Sequence, residues 1–273
     1  VRALGIDLAW NVGTAARPAN ETGVVALDPD GTIADAGWTV GLDATVDWIE
    51  RWFDRDGTMA FVDASLLVTN ESGMRECERQ VGRCYGRWKV SANPTSLGSP
   101  GQAGAELRRR LEADGWRYDD GLDGPPAGGL AMSECYPYTT IVGVAELGYD
   151  DERPRYKRQP KGMPAARYQP RRAQVCDELI GRVARLGATG IPLQLRSHPI
   201  TADLLDRPSP LGDRAYKHRE DLLDAVLCAW TAQLWLQTGF GRCQVLADPA
   251  DGRPAPGIVV ACRPEQRRAP GSA

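Results

Sequence analysis

The chain has 273 residues, enough to bury one large core, with 33 basic against 36 acidic side chains and a formal net charge of −3. That near-neutral balance excludes the global basic character of a non-specific nucleic-acid binder, so any such role has to rest on a local patch. Seven scattered cysteines without a CxxC pair speak against a zinc site or a disulfide framework and point to a reducing, cytoplasmic setting. No apolar run reaches membrane-spanning length, so no membrane partner is expected.

In chain order, residues 2–9 form a short apolar strand with Asp7 near its end, and a strand is expected there in place of a signal peptide. Residues 21–27 and 32–40 follow as strands joined by the turn signal Asp28-Pro29-Asp30-Gly31, which gives an antiparallel start of three strands. Residues 42–53 carry Val46, Ile49, Trp52 and Phe53 at helical spacing. A fourth strand, 58–62, runs into Asp63. From there strands and helices alternate, the pattern of a parallel sheet with crossover helices.

A helix is expected over 72–87, where Arg75, Arg79, Arg83 and Arg87 recur every four residues. They form a basic ridge, with Glu76 and Glu78 on other faces; the ridge either contacts phosphate or is a solvated face. Residues 102–113 form another helix, and 119–129 a loop rich in Gly, Asp and Pro. The fifth strand, 130–135, carries Glu134 and leads into Tyr136-Pro137-Tyr138. Residues 149–172 hold Arg153, Arg155, Lys157, Arg158, Lys161, Arg167, Arg171 and Arg172 between tyrosines and prolines. The prolines argue against a long helix, so the stretch is expected to be an exposed basic loop. Such a loop suits phosphate contacts and base stacking, or is a plain solvated loop. Helices over 174–186 and 200–205 precede the most apolar helix of the chain, 218–237. A hairpin of 243–246 with 257–261 and a tail over 263–273 close it.

On the helix 218–237, Asp221 and Asp224 are three residues apart and share a face. Asp221 could instead cap the helix. If the first and fourth strands are neighbours, Asp7 and Asp63 lie side by side, and a helix across that edge adds Asp221 and Asp224. Three or four carboxylates at one point need cations, and hard oxygen ligands suit Mg²⁺ or Mn²⁺. Two such ions about 4 Å apart activate water and steady the leaving oxygen in phosphodiester hydrolysis. His218, one turn before the acids, is a candidate acid or base, whereas His198 is expected to be structural.

The order strand–Asp, hairpin, helix, strand–acid and a late Asp-x-x-Asp-Ala helix resembles the ribonuclease H-like superfamily. Asp221-Leu222-Leu223-Asp224-Ala225 is similar to the last catalytic helix of RuvC-type Holliday-junction resolvases. More closely, Gly5-Ile6-Asp7-Leu8-Ala9, Val62-Asp63-Ala64-Ser65-Leu66, Glu134-Cys135-Tyr136-Pro137 and residues 218–229 resemble the DUF429 family, described as predicted nucleases of ribonuclease H fold. The resemblance implies an α/β fold: a ribonuclease H-like mixed sheet, three antiparallel strands then two parallel, flanked by helices. It implies a domain over 1–246 with an inserted basic loop at 149–172, then a closing hairpin and flexible tail over 247–273.

The implied activity is that of a metal-dependent nuclease acting on a structured or branched nucleic acid by a two-metal-ion mechanism. Asp7, Asp63, Asp221 and Asp224 would hold two Mg²⁺ or Mn²⁺ ions. Glu134 would be an extra ligand or would hold a cation of the basic stretch, and Arg75, Arg79, Arg83, Arg153, Arg155, Lys157 and Arg158 would contact nucleic acid. Resolvase-like enzymes often act as dimers, so a homodimer is a possible state. Two positions depart from the patterns: Ser65 where the family often has Pro, and Asp63 where RuvC-type enzymes carry Glu. The competing readings are a non-catalytic nucleic-acid or protein-binding scaffold on the same fold, and a sugar-kinase-like phosphotransferase. The second lacks its Gly-Thr phosphate turn, since Leu8-Ala9-Trp10-Asn11 follows Asp7, and no P-loop is present.

Overall fold

In the computed structural model, which describes residues 1–11, 13, 19–157, 162–247 and 253–267, the helix expected over 218–237 is the longest element, α7 (Asp213–Thr238). It lies on one face of a mixed sheet in the order β3-β2-β1-β4-β6-β8-β7, with β5 paired to β6. β1 (Arg2–Asp7), β2 (Glu21–Leu27) and β3 (Ile33–Val40) run antiparallel through the Asp28–Gly31 turn, where Gly31 has φ 85°. β4 (Gly57–Val62) pairs parallel to β1, and β6 (Gly129–Glu134) parallel to β4. This is a mixed α/β sheet flanked by helices, consistent with a ribonuclease H-like fold.

Side-chain alternation sorts the strands onto two cores. Leu4, Ile6, Ala60, Val62 and Met132 face α1 (Leu42–Trp52) and α3 (Ala103–Ala113). Ala3, Met59, Phe61 and Ala131 face the opposite way, toward α7, α2 (Glu76–Tyr85), α4 (Pro137–Gly143) and α5 (Ala165–Ala184). β4 is buried at every residue, as a parallel strand covered on both faces should be. The short helix α6 (Pro199–Asp206) packs near β3.

Two glycines set the height of α7 above the sheet. A Cβ on Gly5 would stand 2.0 Å from the Ala225 carbonyl oxygen and 2.3 Å from the Ala229 nitrogen. One on Gly23 would stand 2.1 Å from the Asp221 carbonyl oxygen. The helix backbone therefore rests on β1 and β2, and Gly23 is the register partner of Asp7. Asp221 and Asp224 are thereby brought over the ends of β1 and β4.

Several expectations change. α7 begins at Asp213, anchored by buried Tyr216, so Asp221 lies inside the helix and is no cap. α5 begins at Ala165 and runs through Pro170, so the last third of the expected basic loop is helical. Pro170 sits in the second turn, where it removes a single backbone hydrogen bond near the helix start. The buried helix α4 opens with Pro137 at its first turn, where a missing N–H costs nothing. β5 (Arg117–Tyr118) and the hairpin β7 (Cys243–Ala247)–β8 (Gly257–Ala261) extend the sheet beyond the five expected strands, with β8 parallel to β6. Among the described residues no helix is long and apolar enough to cross a membrane.

Gly5→Ala should destabilise the protein by about 3 kcal/mol or more, because two backbones and not a flexible side chain must move. Urea denaturation measures this. An alanine variant as stable as wild type would mean that α7 does not rest on β1.

Candidate metal centre

The register Ile6↔Val62 makes Asp7 and Asp63 leave β1 and β4 side by side, and the Asp63 N–H donates to the Ile6 carbonyl at 2.9 Å. Both follow residues of the α1–α3 face, so alternation turns both toward α7. There they meet Asp224. One carboxylate oxygen from each of Asp7, Asp63 and Asp224 lies within 4.8 Å of the others. The triad could hold a metal ion.

Asp224 is fully buried. The Tyr156 hydroxyl donates to its Oδ1 at 2.6 Å, and the Lys157 ammonium lies 2.5 Å from its Oδ2 and 4.0 Å from Asp63 Oδ2. Despite that ion pair, Oδ2 accepts no hydrogen bond of ordinary direction among the described residues. An acceptor in that state, beside two further carboxylates, fits a cation held through oxygen.

Burial dominates the electrostatics. It raises Asp7 well above the usual carboxylate range, with the charge of Asp224 adding to it, and raises Asp63 to about 6 against the pull of Lys157. Burial alone would lower Lys157, but Asp224, Asp63 and Asp7 outweigh it and keep the ammonium charged.

Asp221, expected as a fourth ligand, stands beside the triad and not in it. Lys217, one turn earlier on α7, pairs with it and with Glu220 at 3.0 Å. Burial raises Asp221, and Lys217 together with a hydrogen bond from the Asp7 carboxyl opposes that shift.

Glu134 is not in the triad either. Its register partner is Val62, so it points to the α1–α3 side of the sheet, away from α7. Its Oε1 accepts from the Leu66 and Leu67 N–H groups at 2.8 and 3.1 Å and from Arg75 at 2.8 Å. Arg75 also pairs with Glu78 at 2.9 Å, and all three side chains are buried. Glu134 thus holds an arginine, as one expectation had it, but one from the start of α2 and not from the basic stretch. Its effect is to fix the turn that carries Asp63.

His218 faces elsewhere. Its Nδ1 lies 2.6 Å from Glu21, and its ring stacks on Trp38 at 3.5 Å. His198 lies 3.7 Å from Asp35, in keeping with a structural role.

The expected nucleic-acid contacts are dispersed. Arg75 is buried, and Arg79 and Arg83 both pair with Glu76, at 2.8 and 2.6 Å, so the ridge does not present four unpaired cations. Arg153 lies 4.2 Å from the Tyr138 ring and donates to the Lys89 carbonyl. Arg155 is exposed beside Glu152, while Lys157 is drawn into the acid site. Arg158 and Lys161 lie outside the described residues.

A cleft of about 510 Å³ opens over Asp7 and Asp63, walled by Trp10, Tyr138, Arg153, Arg172 and the two lysines. Tyr156, Lys157 and Lys217 are the residues that sequence reasoning missed as partners of the acids. For Lys217 the signal was present: it stands four residues before Asp221 on a helix. A larger cleft of about 650 Å³ includes Asp120 and Asp123, but Arg253 pairs with both, at 2.8 and 2.7 Å.

Asp63 binds its proton more tightly folded than unfolded, so metal-free stability should fall as pH rises from about 4 through about 6. Asp63→Asn should remove that slope and, in EDTA above pH 6, be more stable than wild type by roughly 1–3 kcal/mol. Denaturant unfolding at a series of pH values gives the comparison; a variant that is less stable at pH 7 contradicts it. Glu134→Gln should instead cost about 3–5 kcal/mol, because it leaves buried Arg75 undercompensated. Thermal melting at neutral pH distinguishes that loss from a neutral change.

No curated protein and no solved structure gives a match to the chain. The family model described as "Protein of unknown function (DUF429)" matches residues 5–251. This chain belongs to the DUF429 family.

Proposed function

We propose that this protein is a metal-dependent phosphodiesterase acting on nucleic acid, with Mg²⁺ or Mn²⁺ held by Asp7, Asp63 and Asp224. The observation that carries the reading is the carboxylate triad, its oxygens within 4.8 Å of one another, with Asp7 and Asp63 lining a cleft that Arg153 and Lys157 also line. Buried like charges that strongly oppose full ionisation are a poor design for stability and a good one for a divalent cation. Such an ion supplies Lewis-acid activation of water and of the phosphoryl oxygen.

In the hydrolysis a water oxygen bonds to phosphorus and the ester P–O bond to the leaving oxygen breaks. The water gives up one proton to solvent or a carboxylate, and the leaving oxygen takes one from solvent. Arg153 and Lys157 on the walls suit the phosphate charge, and exposed Trp10 at the mouth suits a stacked base. These few cations fit a short stretch of backbone, which favours a site of special structure over a long duplex footprint.

A binding scaffold is the second reading. It is favoured by one observation, the ammonium of Lys157 already neutralising Asp224.

Melting curves and oligonucleotide cleavage together separate the two. Wild type should gain about 2.7 kcal/mol at Mn²⁺ a hundredfold above the dissociation constant and should cut a labelled oligonucleotide only with metal. Asp224→Asn should lose both. A wild-type midpoint indifferent to Mn²⁺ and Mg²⁺, with no cleavage, would leave the scaffold standing.

A further inference from the structure

The acid cluster contains fewer carboxylates than the sequence offers. Of the acids expected to share in metal binding, Asp221 is paired with Lys217, and Glu134 lies on the other side of the sheet, committed to Leu66, Leu67 and Arg75. That leaves Asp7, Asp63 and Asp224, the one cluster of three or more metal-capable groups among the described residues. Three monodentate carboxylates suit one hard cation completed by water. A pair of ions needs carboxylate oxygens free on both sides, and Lys157 stands against the Asp224 and Asp63 oxygens that a second ion would use.

An ammonium already stands among these acids. The Lys157 ammonium lies 2.5 Å from Asp224 Oδ2 and 4.0 Å from Asp63 Oδ2, between two of the three acids. Its position is built: the preceding residue, Tyr156, is fully buried and donates to the other oxygen of Asp224, while the Tyr216 hydroxyl donates to the Tyr156 carbonyl at 2.5 Å. Consecutive residues thus grip both oxygens of one carboxylate. The Lys157 side chain is 18% exposed and lines the cleft, so the ammonium faces both the acids and the space a substrate would enter.

We propose that Lys157 is a catalytic residue that serves as the second cation of this site, so that the protein works with one divalent ion and one ammonium in place of two ions. This rests on the phosphodiesterase reading above and refines it. The ammonium keeps its three protons throughout. It contacts a non-bridging phosphate oxygen and offsets the charge that builds there as the water oxygen bonds to phosphorus and the ester bond breaks. A lysine acts here as a fixed point charge, without the coordination demands of a metal ion.

The test is a Mn²⁺ binding isotherm on the full chain, read from the electron paramagnetic resonance signal of free Mn²⁺. It is paired with the Mn²⁺ dependence of bis(p-nitrophenyl) phosphate hydrolysis. Wild type should bind one ion per chain, and the rate should rise with the first power of Mn²⁺ before saturating. Lys157→Met should bind two ions, the second in the vacated position, and its rate should fall at least tenfold at Mn²⁺ levels that fill one site and then rise with the second ion. Lys157→Arg, which keeps the charge, should still bind one; circular dichroism checks that both variants fold.

Two ions bound by wild type would overturn the proposal and leave the metal reading intact. So would a single ion in a folded Lys157→Met, whatever its affinity, since the ammonium would then hold no cation position of its own. Absence of Mn²⁺ binding by wild type would overturn this proposal and the phosphodiesterase reading together.

Discussion

Everything at the acid site depends on how closely α7 can approach the sheet. Without side chains at Gly5 and Gly23, the helix backbone comes into direct contact with β1 and β2. One more carbon at either position would meet a carbonyl oxygen near 2 Å. That approach carries Asp224 down to the strand ends, where Asp7 and Asp63 already stand together because β1 and β4 are parallel neighbours. The carboxylate cluster is thus a result of backbone packing, and the apolar faces of α7 hold it against its own repulsion.

That repulsion is answered locally. Lys157 faces Asp224 and Asp63, and Lys217 faces Asp221 and Glu220. The two lysines arrive by different routes. Lys217 belongs to the same helix as its acids, whereas Lys157 comes from a segment whose placement depends on Tyr156 being buried between Asp224 and Tyr216. Folding of that segment and neutralisation of the site are therefore one event, since neither tyrosine hydroxyl finds its partner until the segment is seated.

The order of elements was readable in the sequence because hydrophobic period and turn residues mark it directly: the hairpin at Asp28–Gly31, the strands ending in Asp7 and Asp63, and the helix bearing Asp224 all stand where their patterns put them. Glu134 shows where that reading stops. It too ends a strand, but which face it takes depends on its register with Val62, a long-range fact that no local pattern contains. The arginine ridge failed for a related reason. The helix expected over 72–87 runs only from Glu76 to Tyr85, so Arg75 and Arg87 fall outside it; the long side chains of Arg79 and Arg83 reach across to Glu76, and Arg75 turns inward to Glu78 and Glu134. Proline arithmetic also misled, since Pro170 falls early enough in α5 to be absorbed. The basic stretch marked Lys157 as a cation, but nothing local tied it or Tyr156 to Asp224: that pairing exists only once the chain has closed on the acid.

The position of Glu134 on the far side of the sheet has an evolutionary reading. Its bonds to Leu66, Leu67 and Arg75 concern the shape of a turn, whereas the acids above the sheet could hold a cation. The two sets answer separate physical demands. A relative that had abandoned its chemistry would be free to drift at the positions of Asp7 and Asp224, yet would still need the glutamate and the arginine together, because losing either strands a buried charge. Joint retention of that pair would therefore mark the fold alone, and the aspartates would carry separate information.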